Sequence, residues 1–148
     1  MFPAAYFEKV SGTQVPVVSN IMASRVRQAL ALETTPDALS QEYAKRPDNL
    51  QHPVPVDDAP VKQNKMIGEE VDFSKFPNIT HCEGDGGPYI SSGITMLKDP
   101  ETGITNWGIY RLQIKDKNKI CISTGKYAHG DHIMRAAEEK NKPLDVAV

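Results

Sequence analysis

The sequence predicts an α+β fold in which helices and antiparallel strands occupy different parts of the chain. Helical spacing of apolar residues is found at residues 24–46 and 131–141, whereas residues 89–123 carry β-branched runs separated by turns. Eleven prolines and ten glycines in 148 residues indicate frequent turns and argue against a helical bundle. The length and the 39% hydrophobic content suit one domain, or one domain with a small appendage.

Charge and cysteine content narrow the classes of function. Lysine and arginine total 17 and aspartate and glutamate total 19, so a net charge of −2 gives no reason to expect a nucleic-acid partner. No apolar run approaches the roughly 20 residues of a membrane span, and no export signal is visible at the N-terminus. Cys82 and Cys121 are too few for a disulfide framework. We therefore expect a reduced, cytoplasmic protein without a membrane partner.

The first third of the chain predicts one short strand, at residues 15–18, followed by two helices, at residues 24–32 and 35–46. Each helix begins with a hydroxyl side chain that can cap it, Ser24 in the first and Thr35 in the second. The second also has a proline at its first position, where a missing N–H costs little. The expected apolar face of the first helix consists of Val26, Ala29 and Leu30.

A proline-rich connector divides the chain. Residues 47–60 contain four prolines and no periodic pattern, which predicts an extended segment lying on a surface. We therefore expect residues 1–60 to form an α/β N-terminal segment with its connector, and residues 61–148 to form a second domain rich in β-structure. Val61–Ile67 and Val71–Phe76 are two short strand candidates at the start of that domain.

Three antiparallel strands are expected in the middle of the second domain. Tyr89–Lys98 and Ile104–Ile114 flank the sequence Asp-Pro-Glu-Thr-Gly, whose proline and glycine fit a tight turn, so these strands should form a hairpin. Ile120–Ser123 returns as a third strand after a short polar segment. The glycines of residues 84–88 lack the GxGxxG and Walker patterns and predict a turn into the first strand.

The C-terminal region predicts a helix at Asp131–Asn141 and an apolar strand at Leu144–Val148, separated by Pro143. The apolar side of this helix consists of Ile133, Met134 and Ala137. Two alternatives remain for the strand. It completes a small sheet, or, as half of a crossover unit, it belongs to a larger sheet whose remainder lies elsewhere.

Asn106 and Arg111 are polar residues of a strand otherwise rich in aromatic and β-branched side chains. Asparagine offers an amide oxygen to a hard metal and N–H groups to a phosphate, and arginine binds a carboxylate through two hydrogen bonds. Residues five apart on a regular strand point to opposite faces. Either a bulge at Gly108 resets this alternation, or the two side chains reach different ends of a long ligand. The simpler alternative places Asn106 in a turn and leaves Arg111 solvated.

The segment before the C-terminal helix holds His129, Asp131 and His132. Two imidazoles and a carboxylate could bind a metal, and a helix N-terminus attracts phosphate. The alternative is that Asp131 caps the helix and both histidines are surface residues. His81 and Cys82 have no partners at zinc spacing, and no nucleophile elbow or Ser-His-Asp order is visible.

Several short motifs occur in order along most of the chain. They are Pro16–Asn20, Ser24-Arg25, Val71–Pro77, Gly87–Gly93, Asp99–Gly103 and Asn106–Arg111. Together these motifs resemble the UbiD-like decarboxylases, and the resemblance is specific because unrelated motifs agree at once. Members of that family reversibly remove CO₂ from aromatic or α,β-unsaturated carboxylic acids.

The resemblance implies a cofactor, metal ions and a fold. Family members use prenylated FMN with a divalent metal, typically manganese (Mn²⁺), and with potassium (K⁺) near the cofactor phosphate. They hold the cofactor in a split β-barrel. Residues 61–148 would then form part of an antiparallel split β-barrel of the FMN-binding type, with flanking helices, in an α+β fold that is incomplete. The substrate would be a small carboxylic acid.

The resemblance also assigns roles residue by residue. The residues expected to contact the cofactor are Asn106, Trp107, Gly108, Ile109, Arg111 and His129. Asn106 would bind both the metal and the phosphate. Arg111 would be the catalytic residue of this chain, because it would hold the substrate carboxylate beside the flavin. His129 would be the second metal ligand, with His132 as the alternative.

The sequence departs from the family in length. Family members are usually several hundred residues long, and their third metal ligand and catalytic glutamate pair would lie beyond Val148, since Glu138 and Glu139 do not match. The first hypothesis is therefore that the chain is part of a decarboxylase. It would be active only with the rest of that protein or with a larger homologous subunit, in a homo- or hetero-oligomer. The alternatives are a flavin- or phosphate-binding module without turnover, and a small subunit that only associates with a larger relative.

Overall fold

The computed structural model describes residues 2–148, which fall into two units. The first unit comprises the residues up to Ile67 together with Lys75–Pro77, and the second comprises Gly68–Ser74 and Asn78–Val148. The strands are β1 (Ala5–Phe7), β2 (Val17–Ser19), β3 (Tyr89–Ile90), β4 (Ile94–Lys98), β5 (Thr105–Ile109), β6 (Arg111–Asp116), β7 (Lys119–Ser123) and β8 (Val146–Ala147). The helices are α1 (Arg25–Ala31), α2 (Leu39–Lys45) and α3 (His129–Glu139).

The first unit contains a two-stranded antiparallel ladder and two short helices. β1 pairs with β2, so that Ala5 lies opposite Ser19 and Phe7 lies opposite Val17. The strand predicted at residues 15–18 is confirmed as β2. The sequence does not predict β1, because a strand of three residues is too short to show an alternating pattern.

Both helices predicted in the first unit are confirmed, but their predicted caps are wrong. Ser24 makes no capping hydrogen bond, and α2 begins at Leu39 rather than directly after Thr35. The apolar face predicted for α1 is also wrong. Ala29 is buried, whereas 51% of Val26 and 76% of Leu30 are exposed. A helix of seven residues makes only about two turns, so contact with one neighbour, α2, buries few positions. Thr35 Oγ1 accepts a hydrogen bond from the Ala38 N–H at 3.3 Å, which caps the turn leading into α2.

The second unit contains two three-stranded antiparallel sheets, with strand orders β3-β6-β7 and β5-β4-β8. β4 pairs with β5 from Ile94 opposite Ile109 to Lys98 opposite Thr105. β6 pairs with β7, beginning with Arg111 opposite Ser123. The predicted hairpin and third strand are confirmed. The fold is thus mixed α/β with antiparallel sheets, and among the described residues these sheets do not close into a barrel.

The predicted hairpin is bent, so that its two halves belong to different sheets. Its first strand is interrupted at residues 91–93 and its second at Tyr110. A Cβ atom at Gly93 would lie 2.7 Å from Val148 Cγ1, and the side chains of Ile90 and Leu112 are almost as close. A larger residue at position 93 would clash with these side chains, so the bend requires glycine.

The strands predicted at Val61–Ile67 and Val71–Phe76 are wrong. Three short 3₁₀ turns occupy this region, at Pro60–Lys62, Gly68–Glu70 and Phe73–Lys75. The Asp72 carboxylate accepts hydrogen bonds from the N–H and the hydroxyl of Ser74, at 3.0 and 2.6 Å. At residues 71–76, such local hydrogen bonds offer the backbone an alternative to a strand ladder.

Helix α3 packs on β4 and β5 and positions the C-terminal side of the site. Ile133 and Ala137 are buried, as predicted, together with Leu97 of β4. The helix begins at His129, two residues before the predicted start at Asp131, so this histidine lies in its first turn. No helix within residues 2–148 is long and apolar enough to cross a bilayer.

The last strand belongs to a small sheet. β8 pairs antiparallel with β4, so that Ala147 lies opposite Met96 and Val146 lies opposite Leu97. Both β8 residues are exposed. This antiparallel pairing differs from the parallel arrangement that a crossover unit produces.

The turn between β4 and β5 is held by the Asp99 carboxylate. It accepts hydrogen bonds from the Glu101 N–H at 2.8 Å and from the Thr102 hydroxyl at 2.7 Å. These hydrogen bonds lower the pKa of Asp99, with the Glu101 N–H as the largest cause. The carboxylate therefore stabilises the fold above its unfolded-state pKa, and this stabilisation is lost as the pH falls through the lowered folded-state value.

We expect Asp99→Ala to lower the Tm at neutral pH, because the turn loses both hydrogen bonds. The difference in Tm between variant and wild type should shrink in acid, once the wild-type carboxylate is protonated. Thermal unfolding at a series of pH values measures this difference. Asp145→Ala, which removes an exposed carboxylate, controls for the lost charge. A Tm difference that stays constant from neutral to acid pH would show that ionised Asp99 does not hold the turn.

Candidate functional site

A cleft of about 780 Å³ is lined by residues from the β4–β5 hairpin and from the start of α3. Its walls include Asn106 from β5, Lys126 from the loop before the helix, and both His129 and His132 from α3. The structure therefore brings the predicted metal and phosphate ligand Asn106 to the same cavity as both candidate histidines. We call this cavity the Asn106 cleft.

Tyr110 connects Asn106 with the first turn of α3. Its hydroxyl donates a hydrogen bond to Asn106 Oδ1 at 2.7 Å and accepts one from the Gly130 N–H at 3.0 Å. Gly130 directly follows His129. A single phenol thus joins the two elements that carry the predicted ligands, and both hydrogen bonds are partly buried.

Two glycines make room for the Tyr110 ring. A Cβ atom at Gly108 would lie 2.8 Å from three atoms of the Tyr110 side chain. A Cβ atom at Gly130 would lie 2.6 Å from Tyr110 Cζ and 2.7 Å from its Oη. Real Cβ atoms do not approach other atoms this closely, so any larger residue at either position must displace the ring.

We expect Gly130→Ala to destabilise the protein by about 1–3 kcal/mol. Alanine gains about 1 kcal/mol in helix propensity, but overpacking costs about 1–3 kcal/mol and each lost hydrogen bond of Tyr110 about 1 kcal/mol. Urea unfolding measures the change. Gly125→Ala is the matched control, because no atom lies within 4 Å of the added Cβ. A Gly130→Ala variant as stable as the wild type would show that the ring is not enclosed as described.

The Asn106 cleft is lined by groups of both charges. Lys126 and two imidazoles line it, and the first turn of α3 adds the partial positive charge of a helix N-terminus. Asp131 is paired with Arg135 at 3.0 Å. The Arg135 hydrogen bond is the main cause that lowers the pKa of Asp131, and the same contact raises the pKa of Arg135. The Arg135 contact thus offsets the charge of Asp131, whereas Asp99, which lines the same cleft, adds a second carboxylate.

The loop that leads into α3 is held by Asp131. Tyr127 has a left-handed backbone with φ of 71°, which is uncommon for a residue other than glycine. Its N–H donates to Asp131 Oδ2 at 3.3 Å. Asp131 therefore stabilises the start of the helix, and both histidines are exposed, as the surface alternative predicts. The histidines nevertheless face the same cavity as Asn106.

Arg111 lines a second cleft, of about 360 Å³, which we call the Arg111 cleft. His81, Cys82 and Tyr89 also line it, and Tyr110 forms part of its wall. The Arg111 guanidinium lies 5.2 Å from the centroid of the Tyr89 ring, a cation–π contact that orients the side chain. Because Arg111 is exposed, its planar fork is accessible to a carboxylate.

Asn106 and Arg111 do not share a cleft. The alternative of a bulge at Gly108 is excluded, since Gly108 pairs regularly with Thr95 and the chain changes sheet at Tyr110 instead. Asn106 lies within β5, which excludes the alternative of a turn. Five extended residues span up to about 16 Å. The alternative in which the two side chains reach different ends of a long ligand stays a prediction.

The other predicted contact residues are distributed along β5. Trp107 and Ile109 alternate with Asn106, so they lie on the opposite face of the strand, and they are 61% and 73% exposed. Ile109 also lines the Arg111 cleft. Gly108 shares the Asn106 face and lies against the Tyr110 ring.

Sequence reasoning missed Tyr110 and Gly130. Their hydrogen bond joins positions 20 residues apart, and no local pattern reports a contact between a strand and a later helix. The available signal is a pair of glycines, because Gly108 interrupts an aromatic strand two residues before Tyr110 and Gly130 lies where a helix begins. Glycine at such positions often marks the close approach of another group.

Asn106 and His129 fit part of a divalent-metal site. Asn106 Oδ1 is a hard ligand that keeps a second lone pair beside the hydrogen bond from Tyr110, and His129 offers an imidazole nitrogen. Within residues 2–148 no three or more His, Cys, Asp or Glu side chains are grouped to hold a metal. A metal in the Asn106 cleft would therefore take further ligands from a phosphate, from water or from another side chain.

The sequence matches two family models. Residues 52–148 match the 3-octaprenyl-4-hydroxybenzoate carboxy-lyase Rift-related domain, and residues 2–46 match the N-terminal domain of the same carboxy-lyase. The first match alone covers more than half of the chain. The chain belongs to the UbiD family.

Relatives and solved structures agree with this assignment. The phenolic acid decarboxylase of Streptomyces sp. (strain D7) is 33% identical over 157 residues, covering 99% of this chain and 33% of that protein. The UbiD-class enzyme HmfF from Pelotomaculum thermopropionicum, in complex with FMN, has a TM-score of 0.84 at 33% identity, covering 97% of this chain and 32% of that one. An evolved dimeric form of HmfF, in complex with prFMN, has the same TM-score and identity, with 34% of that chain covered. This chain spans about a third of the length of these relatives.

Proposed function

We propose that this chain is the flavin-binding part of a reversible, non-oxidative decarboxylase that uses prenylated FMN. Its substrate would be an aromatic or α,β-unsaturated carboxylic acid. The observation that carries the proposal is the bent hairpin, which places Asn106 in one cleft with both candidate histidines. It places Arg111 in a second cleft, with Tyr110 between the two. Family membership and the decarboxylase relative support the same chemistry.

In this proposal each cleft has its own task. Asn106 and His129 would hold Mn²⁺ and, through it, the cofactor phosphate, with K⁺ nearby and the N–H groups of α3 adding positive potential. His132 lines the same cleft and is the alternative imidazole ligand. When bound, prenylated FMN would supply the electron sink that decarboxylation needs.

The remaining residues would act between the two clefts. Trp107, Gly108 and Ile109 would contact the cofactor, mainly through the backbone for Trp107, whose side chain lies on the other face of β5. Arg111 would bind the substrate carboxylate through its planar fork and hold it in the Arg111 cleft. Positioning of this kind lowers the barrier because the reacting groups are already aligned.

The proposal requires protein beyond the described residues. The two sheets of the second unit would form part of a split β-barrel of the FMN-binding type. A general acid must protonate the carbon that loses CO₂, and arginine does not supply that proton. We propose that this acid and a third metal ligand come from the rest of the decarboxylase or from a larger homologous subunit, in a homo- or hetero-oligomer. A flavin-binding module without turnover would use the same Asn106 cleft.

Fluorescence of Trp107, the single tryptophan, tests flavin binding directly. We expect FMN, added with Mn²⁺, to quench this emission saturably through energy transfer to the flavin. Riboflavin, which lacks the phosphate, should bind at least about tenfold more weakly, since a charge-assisted contact contributes about 1.5–3 kcal/mol. Equal affinity for riboflavin and FMN, or no saturable quenching by either, would overturn the proposal.

A further inference from the structure

We propose that Tyr110 is a positioning residue that sets the side-chain orientation of Asn106 and its separation from His129, an inference that rests on the proposed function of the Asn106 cleft. The Tyr110 hydroxyl donates to Asn106 Oδ1 at 2.7 Å while it accepts from the Gly130 N–H at 3.0 Å. One side chain therefore contacts both ligand-bearing elements at once. No other described hydrogen bond joins β5 to the first turn of α3.

The direction of these hydrogen bonds determines which atom of Asn106 is fixed. The Gly130 N–H can only donate, so Tyr110 Oη is its acceptor and the phenolic proton is left to point at an acceptor of its own. Asn106 Oδ1 is that acceptor, and hydrogen bonds in such a chain strengthen one another. The amide is thereby held with one oxygen lone pair on Tyr110 and the other available to a metal.

The two glycines fix the distance as well as the orientation. The Tyr110 ring fills the space that Cβ atoms at Gly108 and Gly130 would occupy, so the ring acts as the spacer between β5 and α3. The Asn106 amide and the backbone at the start of α3 are therefore held in place before a ligand arrives. A preorganised site binds more tightly, because less conformational freedom is lost on binding.

The variant Tyr110→Phe isolates the hydroxyl, because it keeps the ring between the glycines. We expect the Kd for FMN with Mn²⁺, read from Trp107 quenching, to rise about tenfold, as is typical for groups that orient a metal ligand. In an Asn106→Ala background the same change should alter the Kd less than about twofold, since Tyr110 acts through Asn106. Tyr43→Phe, an exposed tyrosine of the first unit, is the control and should leave the Kd unchanged.

A ligand-free measurement separates this inference from the proposed function. In the NMR spectrum of the free protein, Tyr110→Phe should shift the side-chain amide signals of Asn106 and speed the solvent exchange of the Gly130 N–H. A wild type that binds no FMN would overturn the proposed function. A wild type that binds FMN, with a Tyr110→Phe variant that binds it equally well or loses affinity equally in both backgrounds, would overturn the role of Tyr110 alone. Asn106 and Gly130 signals that do not change in Tyr110→Phe would also overturn the role of Tyr110.

Discussion

In the complete decarboxylase that we propose, Arg111→Ala should reduce CO₂ release about 10³-fold, with the bound flavin retained. Loss of one preorganised donor to a charged reacting group costs up to about 4 kcal/mol in the transition state, which corresponds to that factor. Arg111 lies in its own cleft, apart from Asn106 and His129, so cofactor binding should not depend on it. Assays of CO₂ release, paired with flavin absorbance of the purified variant, measure the two effects separately.

Two further variants make the Arg111 result specific. Arg111→Lys keeps the positive charge but loses the planar fork, so it should recover only a small part of the activity. Lys115→Ala removes an exposed cation from the same strand, β6, and should leave activity unchanged. Full activity of Arg111→Ala, or loss of flavin in parallel with activity, would remove Arg111 from the proposed role.

Asn106→Ala should weaken FMN binding in the presence of Mn²⁺ by about 100-fold. The change removes the Oδ1 ligand and also the acceptor of the Tyr110 hydroxyl, so both the metal contact and its support are lost. Even groups that only orient a metal ligand contribute about 10–100-fold to affinity, so loss of the ligand itself should reach the upper end of that range. Trp107 quenching gives the affinity, and elemental analysis gives the metal content.

The control for Asn106 is a second asparagine of the same unit. Asn78 donates to the Phe73 carbonyl at 2.9 Å and does not line the Asn106 cleft. Asn78→Ala should therefore retain the affinity for FMN, even if it lowers the Tm. Metal and flavin content unchanged in Asn106→Ala would contradict the assignment of Asn106.

The hairpin was predictable because its signals are local. β-Branched and aromatic residues on both sides of the Asp99 turn predict two paired strands without reference to the rest of the chain. The bend at Tyr110 was not predictable, because a change of sheet depends on which strands pair on either side of it. Residues 61–76 show the limit of such local signals, because their β-branched residues lie in and between short 3₁₀ turns and form no strand.

The candidate site was predictable only in part. The resemblance to a family pointed to Asn106 and His129, and the structure places both in one cleft. Their spacing predicts that Asn106 and Arg111 point to opposite faces of a regular strand, and in the structure the two residues line different clefts. The role of Tyr110 depends on the packing of α3 against β5, which no residue pattern within either element encodes.

The coupling between Mn²⁺ and FMN binding tests the central claim most directly, because a shared site must link the two. In the wild-type chain, saturating Mn²⁺ should tighten FMN binding at least about tenfold, and FMN should tighten Mn²⁺ binding by the same factor. His129→Ala should abolish this coupling, whereas His132→Ala should preserve it. Coupling that survives in His129→Ala, or FMN binding that is indifferent to Mn²⁺ in the wild type, would contradict the proposal that Asn106 and His129 form one metal and phosphate site.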